Sequence, residues 1–278
     1  MRYAIVGLGL IGGSLAWDLT QAGHEVWGVS RSGETCRQAV QRGIVQQADP
    51  NLDQVFPQSW DGVIVATPIA ATLPTIAHLA TGLQPGTPLT DVASVKGSLV
   101  ETATRLWPSF VGGHPMAGTA DHGLAAAQLG LFREAVYVVT PLPETDREAL
   151  ARVEELIRTV GAEVVHCHPV DHDQAVAAIS HVPVWISAAL IAAAAEQGSL
   201  ARRLASSGFR DTSRVGGGNP ELGVGMAQAN RAAILAHLTV YRRHLTQIQD
   251  WILAEDWSSL QDYLQATQIQ RPQFRGIQ

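Results

Sequence analysis

The stretch Gly7-Leu8-Gly9-Leu10-Ile11-Gly12-Gly13-Ser14 decides the fold of the first half of this chain. It contains the pattern G-x-G-x-x-G, directly follows the apolar run Tyr3-Ala4-Ile5-Val6 and opens a helical pattern. In that context the glycines allow a tight turn, a close approach of the backbone to a pyrophosphate and close helix–strand packing. The free N–H groups of the helix also attract phosphate. The sequence therefore predicts a dinucleotide-binding unit, with cofactor contacts from Gly7, Gly9, Leu10, Ile11 and Gly12.

Outward from this loop, short apolar runs alternate with helical patterns, which is typical of a doubly wound α/β fold with a parallel sheet. Most of the runs are continuously apolar, as expected for strands covered by helices on both faces. We expect strands at 2–6, 25–30, 62–66, 89–93, 110–112, 136–140 and 163–167. We expect helices near 12–22, 33–42, 69–81, 97–106 and 146–160.

The strand pattern stops after about residue 168. Long helices are predicted at 169–197, 228–254 and 257–267, with a Gly-rich, polar functional loop at 206–223. We therefore expect two domains, a dinucleotide-binding domain over 1–168 and an all-helical substrate and dimerisation domain over 169–278. Because the long helices are apolar on more than one face, we expect a homodimer formed through the helical domain.

Composition narrows the class of protein. The 278 residues are 46% hydrophobic and 16% charged, with 19 basic and 25 acidic residues and a net charge of −6. The sequence has no block rich in Lys and Arg, so we do not expect nucleic-acid binding. The longest apolar run, 184–195, is too short to span a bilayer, so we expect no membrane partner. Two cysteines, Cys36 and Cys167, lie in different predicted domains, which favours reduced thiols and a cytoplasmic location.

The residues after the second predicted strand indicate which dinucleotide is bound. An NAD site usually has Asp or Glu there, accepting hydrogen bonds from the ribose 2′-OH. This chain reads Ser30-Arg31-Ser32 and has no carboxylate before Glu34. Because these three side chains can bind a 2′-phosphate through charge-assisted hydrogen bonds, we expect NADP. The alternative for Arg31 is a solvated loop cation.

Three further segments are expected at the carboxyl edge of the sheet, where ligands bind in such folds. Thr67-Pro68 follows one strand and either lies beside the cofactor or simply ends the strand. Ser94 follows the next strand. His114 stands in a glycine-bracketed stretch, 112–118, where we expect a turn with extended backbone at the histidine because Pro115 disfavours helix before it. A histidine at that edge beside Ser94 is a candidate for proton transfer.

Together these motifs resemble the prephenate/arogenate dehydrogenase family of tyrosine biosynthesis. The resemblance rests first on the glycine loop, on Asp-Val-Ala-Ser-Val-Lys at 91–96 and on Gly-Gly-His-Pro-Met-Ala-Gly-Thr at 112–119. It extends over nearly the whole chain through Ser180-His181-Val182-Pro183, Gly208-Phe209-Arg210-Asp211-Thr212-Ser213-Arg214, Asn219-Pro220-Glu221-Leu222 and Asn230-Arg231.

The resemblance implies the oxidative decarboxylation of a cyclohexadienol, in which a hydride passes to the nicotinamide and the ring carboxylate leaves as CO2. It implies that His114 accepts the hydroxyl proton, for which a pKa of about 6.5 is suitable. Ser94 would orient the hydroxyl or the imidazole and contact the cofactor. The substrate-binding residues it implies are Arg214 as carboxylate anchor, His181, Thr119 and, in competition with Arg214, Arg210.

Several of these residues keep a structural alternative. His181 lies within an Ala-rich helix, where the alternative is a satisfied core histidine, and Lys96 is interpreted as a helix cap. His166, His168 and His172 are interpreted as polar residues of a domain hinge. They lack the accompanying ligands of a metal site, and hydride transfer needs no metal, so none is expected.

Two departures from the family pattern bear on the choice of substrate. Ala120 stands where many relatives have an acidic residue, and Gly223 where an aromatic residue is common. With the NADP preference, we expect arogenate rather than prephenate. Two further hypotheses stay open, a dehydrogenase or reductase of a different helical-domain family and a non-catalytic NADP sensor. A sensor is expected to lose His114, Ser94 or Arg214, and this chain has all three.

Overall fold

The computed structural model describes residues 1–119 and 121–274, and its strands form an eight-stranded sheet. The strands are β1 (Arg2–Val6), β2 (Glu25–Val29), β3 (Gln47–Asp49), β4 (Gly62–Val65), β5 (Leu89–Asp91), β6 (Phe110–Pro115), β7 (Val136–Thr140) and β8 (Glu163–His166). Their order is β3-β2-β1-β4-β5-β6-β7-β8, and neighbours are parallel except for β6 and β7. The strand order reverses between β1 and β4, which places a ligand crevice at their carboxyl ends.

Helices follow most of the strands and make up the second half of the chain. They are α1 (Leu10–Gln21), α2 (Gly33–Gln41), α3 (Ile69–Leu79), α4 (Gly97–Leu106), α5 (Arg147–Thr159), α6 (Pro169–Val176), α7 (Val182–Ala195), α8 (Gly198–Leu204), α9 (Ser207–Ser213), α10 (Pro220–Ala229), α11 (Arg231–Leu253) and α12 (Trp257–Gln270). The predicted fold class, a doubly wound sheet followed by helices, is confirmed.

Two hydrophobic clusters cover the two faces of the sheet. In β1, Tyr3 and Ile5 pack in the cluster that contains residues of α1 and α5. The alternate residues Ala4 and Val6 pack in the cluster that contains residues of α3 and α4. Successive side chains of a strand point to opposite faces, so a strand buried on both faces must be apolar at every position. This explains the uninterrupted apolar runs in the sequence.

The structure corrects three predictions about the elements. The strand β3 was not predicted, because it has only three residues, two of which are polar, and none of the three is buried at this edge of the sheet. The strand β6 continues through His114 to Pro115, so the histidine lies in a strand that pairs with β7 and not in a turn. The interval 206–223 is not a loop: it holds α9, a 3₁₀ turn at Arg214–Gly217 and the start of α10.

The long helix predicted at 169–197 is present with a local change of pitch. The segments α6 and α7 are joined by a π-helical turn at Ala177–His181. π-Helical turns inside helices are frequent at functional sites. By its packing the chain divides into a unit that ends at Arg231 and a second unit that begins at Ala232. The boundary predicted at 168/169 stays a prediction.

The helix Pro169–Ala195 is also long and apolar enough, by length and composition alone, to cross a membrane, and its most apolar 18-residue window has a mean hydropathy of 1.9. The sequence interpretation considered only its most apolar part. Core helices of soluble proteins pass the same test. Its first half carries the buried side chains of His172, Asp173 and His181, whereas only 28% of its most apolar window is buried.

Candidate active site

The glycine loop between β1 and α1 has the geometry of a phosphate-binding turn. Gly7 has a φ of 108°, a conformation that favours glycine. A Cβ at Gly12 would lie 1.9 Å from the Gly7 carbonyl oxygen and 2.8 Å from the Ala66 Cβ. A Cβ at Gly9 would meet no described atom within 4 Å, so the backbone there borders open space. Gly9 also precedes the N-terminus of α1, whose free N–H groups suit a pyrophosphate. The loop therefore fits the predicted dinucleotide.

Two substitutions in this loop are expected to affect different properties, one the stability of the fold and the other nucleotide binding. Gly12→Ala should lower the free energy of unfolding by about 2 kcal/mol, because the new methyl overlaps backbone. Gly9→Ala should leave stability within about 0.5 kcal/mol of wild type. It should still weaken nucleotide binding about tenfold, because its methyl enters the space assigned to the pyrophosphate. Chemical denaturation and nucleotide titration measure the two effects. Equal stability of both variants would contradict this geometry.

The segment after β2 forms the start of α2. The Ser32 hydroxyl accepts a hydrogen bond of 3.2 Å from the Thr35 N–H and so caps the helix. Arg31 is exposed. The first carboxylate, Glu34, accepts hydrogen bonds from Arg37 and Gln38. These bonds engage the carboxylate, which could otherwise accept a hydrogen bond from a ribose hydroxyl. An exposed guanidinium next to a helix N-terminus suits a phosphate.

The other residues predicted near the cofactor also lie at the carboxyl edge. Thr67 and Pro68 join β4 to α3, and Pro68 occupies the position just before the first helical residue. Ser94 follows β5, which runs parallel to β6, so Ser94 and His114 leave the same edge of the sheet as predicted. The Ser94 hydroxyl oxygen is buried and has no hydrogen-bond partner within the described ranges. It is therefore available to a ligand.

His114 is held by a second histidine. Its Nδ1 lies 2.8 Å from Nε2 of His172, and the Nδ1 of His172 lies 2.8 Å from the Asp173 carboxylate. His114 is 8% exposed and His172 only 2%. The Nε2 atom of His114 makes no hydrogen bond to the part of the chain that the structure describes. The Nδ1 of His114 is therefore hydrogen-bonded, and its Nε2 is left for proton transfer.

Asp173 connects this pair of histidines to the N-terminus of α4. Its carboxylate accepts 2.8 Å hydrogen bonds from the backbone N–H groups of Lys96 and Gly97, at the start of α4. Burial opposes ionisation of Asp173, but the hydrogen bonds from His172 and from these N–H groups outweigh it, and the net result is a lowered pKa. The carboxylate is therefore ionised, and α6 is fixed against α4, which it contacts.

The environment of His114 keeps its imidazole neutral. Burial is the main reason that its pKa lies well below 6.5, and electrostatic interactions with His172, Lys96 and His181 act in the same direction. A neutral imidazole has a lone pair that can accept a proton. The site therefore holds a histidine in the state that a general base requires.

His181 lies beside this group and is fully buried. Its Nδ1 is 3.3 Å from the Asn230 amide nitrogen, which donates a 2.7 Å hydrogen bond to the Asp173 carbonyl. Its Nε2 has no hydrogen-bond partner of standard geometry among the described residues, although the Ser94 carbonyl is close enough to act on the ring. Burial lowers its pKa. An unsatisfied nitrogen in the core argues against the alternative of a satisfied core histidine.

Lys96 does not cap α4 with its side chain. Its ammonium is fully buried and forms an ion pair with the equally buried Asp91 carboxylate. Asp91 also accepts hydrogen bonds from the N–H groups of Ala93, at 2.9 Å, and Gly113, at 3.1 Å. The Asp91 carboxylate therefore joins the end of β5 to Gly113, the residue before His114, and its ion pair with Lys96 supports the site.

Three other predicted substrate-binding residues, Arg214, Arg210 and Thr119, make no hydrogen bond to His114 among the described residues. Arg214 and Arg210 are both exposed, and Arg210 pairs with its neighbour Asp211. The turn that carries Arg214 packs closely on α7, where Gly216 donates a 2.9 Å hydrogen bond to the Ser187 hydroxyl. Thr119 is exposed and accepts a hydrogen bond from the Asp121 N–H. Ala120 lies outside the described residues.

The interpretation of three histidines near residue 168 as polar residues of a domain hinge is wrong for His172. His172 is buried in the site, His168 accepts a hydrogen bond from the Val170 N–H, and His166 pairs with Glu154. Within the described ranges no group of three or more His, Cys, Asp and Glu side chains is placed to hold a metal ion. Sequence reasoning missed Asp173 altogether. The only available signal was an adjacent His-Asp pair in an otherwise apolar helix.

Comparisons with known proteins agree with the geometry. A family model described as prephenate dehydrogenase, nucleotide-binding domain, matches residues 15–166, and one described as prephenate dehydrogenase, dimerization domain, matches residues 168–266. The chain is 32% identical to a prephenate dehydrogenase of Bacillus subtilis (strain 168), over 96% of this chain and 74% of that protein.

Solved structures extend this similarity. Synechocystis arogenate dehydrogenase is 48% identical, with a TM-score of 0.84 over 98% of this chain and 99% of that chain. A prephenate dehydrogenase from Aquifex aeolicus, in complex with hydroxyphenyl propionate and NAD+, is 26% identical, with a TM-score of 0.92 over 98% of each chain. The chain therefore belongs to the prephenate/arogenate dehydrogenase family of oxidoreductases.

Proposed function

We propose that this protein is an NADP-dependent arogenate dehydrogenase, which converts L-arogenate to L-tyrosine and CO2. The observation that carries the proposal is the buried His114 at the carboxyl edge of the sheet, which also carries the glycine loop: burial holds its pKa well below 6.5, and its Nε2 makes no hydrogen bond to the described residues. The similarity to Synechocystis arogenate dehydrogenase supports arogenate as substrate. The residues at the start of α2 support NADP.

In this proposal each residue has a defined task. His114 Nε2 accepts the proton of the ring hydroxyl as the hydride leaves the carbon that bears this hydroxyl. The proton returns to the phenolate oxygen once decarboxylation has made the ring aromatic. The Ser94 hydroxyl, which lacks a partner among the described residues, donates a hydrogen bond to the substrate oxygen. His181 offers its free Nε2 to the substrate. When bound, the nicotinamide supplies the hydride acceptor.

The reaction can be tested by its products. Incubation of the purified protein with arogenate and NADP should yield tyrosine, CO2 and NADPH in equal amounts. The alternative substrate is prephenate, favoured by the name of the Bacillus subtilis relative; it would give 4-hydroxyphenylpyruvate instead. Nucleotide binding without any reduction, with either compound, would favour the non-catalytic sensor.

The NADP preference is assigned to Arg31. Arg31→Ala should lower kcat/KM for NADP about 10- to 100-fold, because a hydrogen bond to a charged group contributes about 1.5–3 kcal/mol. The value for NAD should change less than threefold, since NAD has no 2′-phosphate. Steady-state kinetics with both nucleotides measure the ratio, and Arg105→Ala, which removes an exposed cation on α4, is the control. An equal loss for NADP and NAD would contradict the assignment.

The carboxylate anchor is assigned to Arg214. Arg214→Ala should raise KM for the substrate by about 10- to 100-fold with a smaller effect on kcat, because a guanidinium fork binds a carboxylate through two hydrogen bonds. Arg210→Ala is the control, since Arg210 already pairs with Asp211, and its KM should stay within about threefold of wild type. The reverse result would move the anchor to Arg210.

We also propose a cytoplasmic homodimer. The dimerization-domain match over 168–266 supports it, and so do the exposed apolar side chains within that range. In the first unit these include Ile179, Leu200, Leu204 and Leu222; in the second, Leu253, Trp257 and Leu264. A partner subunit over such side chains would explain why only 28% of the most apolar window of the helix Pro169–Ala195 is buried.

A further inference from the structure

The His172–Asp173 pair carries an inference beyond the assignment of His114 as the base, and it rests on that assignment. The hydrogen-bond chain runs from Asp173 through His172 to His114, with distances of 2.8 Å at each step. All three residues are at most 9% exposed. Water therefore does not compete with these contacts, and each link restricts the protonation state of the next group.

The positions of the protons in this hydrogen-bond chain follow from Asp173, its ionised end. The Asp173 carboxylate only accepts, so Nδ1 of His172 donates to it. When the His172 ring is uncharged, its Nε2 is the acceptor, and the 2.8 Å contact is then a hydrogen bond donated by Nδ1–H of His114. A neutral His114 with its proton on Nδ1 has its lone pair on Nε2, the nitrogen that the proposed reaction uses.

We infer that His172 and Asp173 are positioning residues that fix the Nδ1–H tautomer of His114 and orient its ring for proton acceptance at Nε2. The same hydrogen bond stabilises the imidazolium that forms when Nε2 takes up the proton. Asp173 stays ionised throughout, as expected for a carboxylate that orients a catalytic imidazole. Its bonds to the Lys96 and Gly97 N–H groups hold the carboxylate in place for this task.

The remaining charged groups around His114 do not specify its tautomer. Lys96 is paired with Asp91, and His181 interacts with Asn230 through Nδ1. His114 is bonded to neither residue among the contacts of the described chain. The tautomer is therefore set from α6, an element that the glycine-bracketed motif around His114 does not include.

Two substitutions at position 172 separate this role from simple packing. His172→Leu removes the acceptor, and kcat should fall at least 30-fold with KM changed less than about threefold. His172→Gln offers a carbonyl oxygen to Nδ1–H of His114 and should recover a large part of that loss. His168→Gln, one turn earlier on the same element, is the matched control and should keep wild-type kcat.

Histidine ¹⁵N NMR of the nucleotide-free protein gives a readout besides activity. The His114 signals, identified by their loss in His114→Asn, should show protonated Nδ1 and unprotonated Nε2 in wild type and in His172→Gln. His172→Leu should show protonation at Nε2. A wild-type Nε2–H tautomer, or a tautomer unchanged in His172→Leu, would overturn the inference. Failure of wild type to oxidise either substrate would overturn the proposed function instead.

Discussion

His114→Asn is expected to lower kcat with arogenate by about two orders of magnitude or more, the usual contribution of a general base. The variant removes Nε2 but keeps an amide N–H that can bond to His172 in place of Nδ1, so the rest of the site stays connected. Nucleotide affinity and melting temperature should match wild type. Steady-state kinetics, nucleotide titration and thermal denaturation measure these three quantities.

The pH dependence of the wild-type protein is a second readout of the same residue. Because the folded protein lowers the pKa of His114 well below 6.5, the base stays unprotonated down to that lowered value. The acid limb of kcat/KM, which reports the free enzyme, should therefore lie below pH 6.5 and be absent from His114→Asn. Near-normal kcat in the variant would refute the assignment of His114 as the base.

Lys96→Met should lower the free energy of unfolding by about 3–5 kcal/mol, because it leaves the fully buried Asp91 carboxylate without its counter-ion. Turnover should fall as well, since Asp91 also holds the Gly113 N–H next to His114. The double variant Asp91→Asn/Lys96→Met removes both charges, and it should recover most of the stability. Chemical denaturation measures all three proteins.

A surface ion pair supplies the control for this prediction. Arg158 pairs with Glu154 on α5, and the Arg158 side chain is 61% exposed. Exposed pairs contribute little, so Arg158→Met should cost less than about 1 kcal/mol. A similar small loss for Lys96→Met, or no recovery in the double variant, would show that the buried pair does not stabilise this edge of the sheet.

The features that the sequence predicted correctly are those that depend on residues close together in the sequence. The glycine loop, the buried strands and the shared sheet edge of Ser94 and His114 follow from short patterns combined with the rule that parallel strands end on one edge. The short helices in 206–223 were mistaken for a loop because of their glycines. One of these, Gly216, instead allows the backbone to pack on α7, where a Cβ would lie 2.5 Å from the Ala188 nitrogen.

The partner of His114 could not be found by this reasoning. His172 stands 58 residues away in the sequence, and the two rings meet only because α6 packs on α4. Asp173 was missed for the same reason, since its role depends on backbone N–H groups of a distant segment. A local pattern identifies the proposed base, whereas its orientation depends on tertiary packing.

The most direct test of the proposed function is nucleotide reduction by the purified protein, measured with arogenate and prephenate, each with NADP and NAD. The account predicts that arogenate with NADP has the highest kcat/KM of the four combinations, by at least about tenfold. Absence of reduction in all four would contradict the assignment as a dehydrogenase, and a higher kcat/KM for prephenate would contradict arogenate as its substrate.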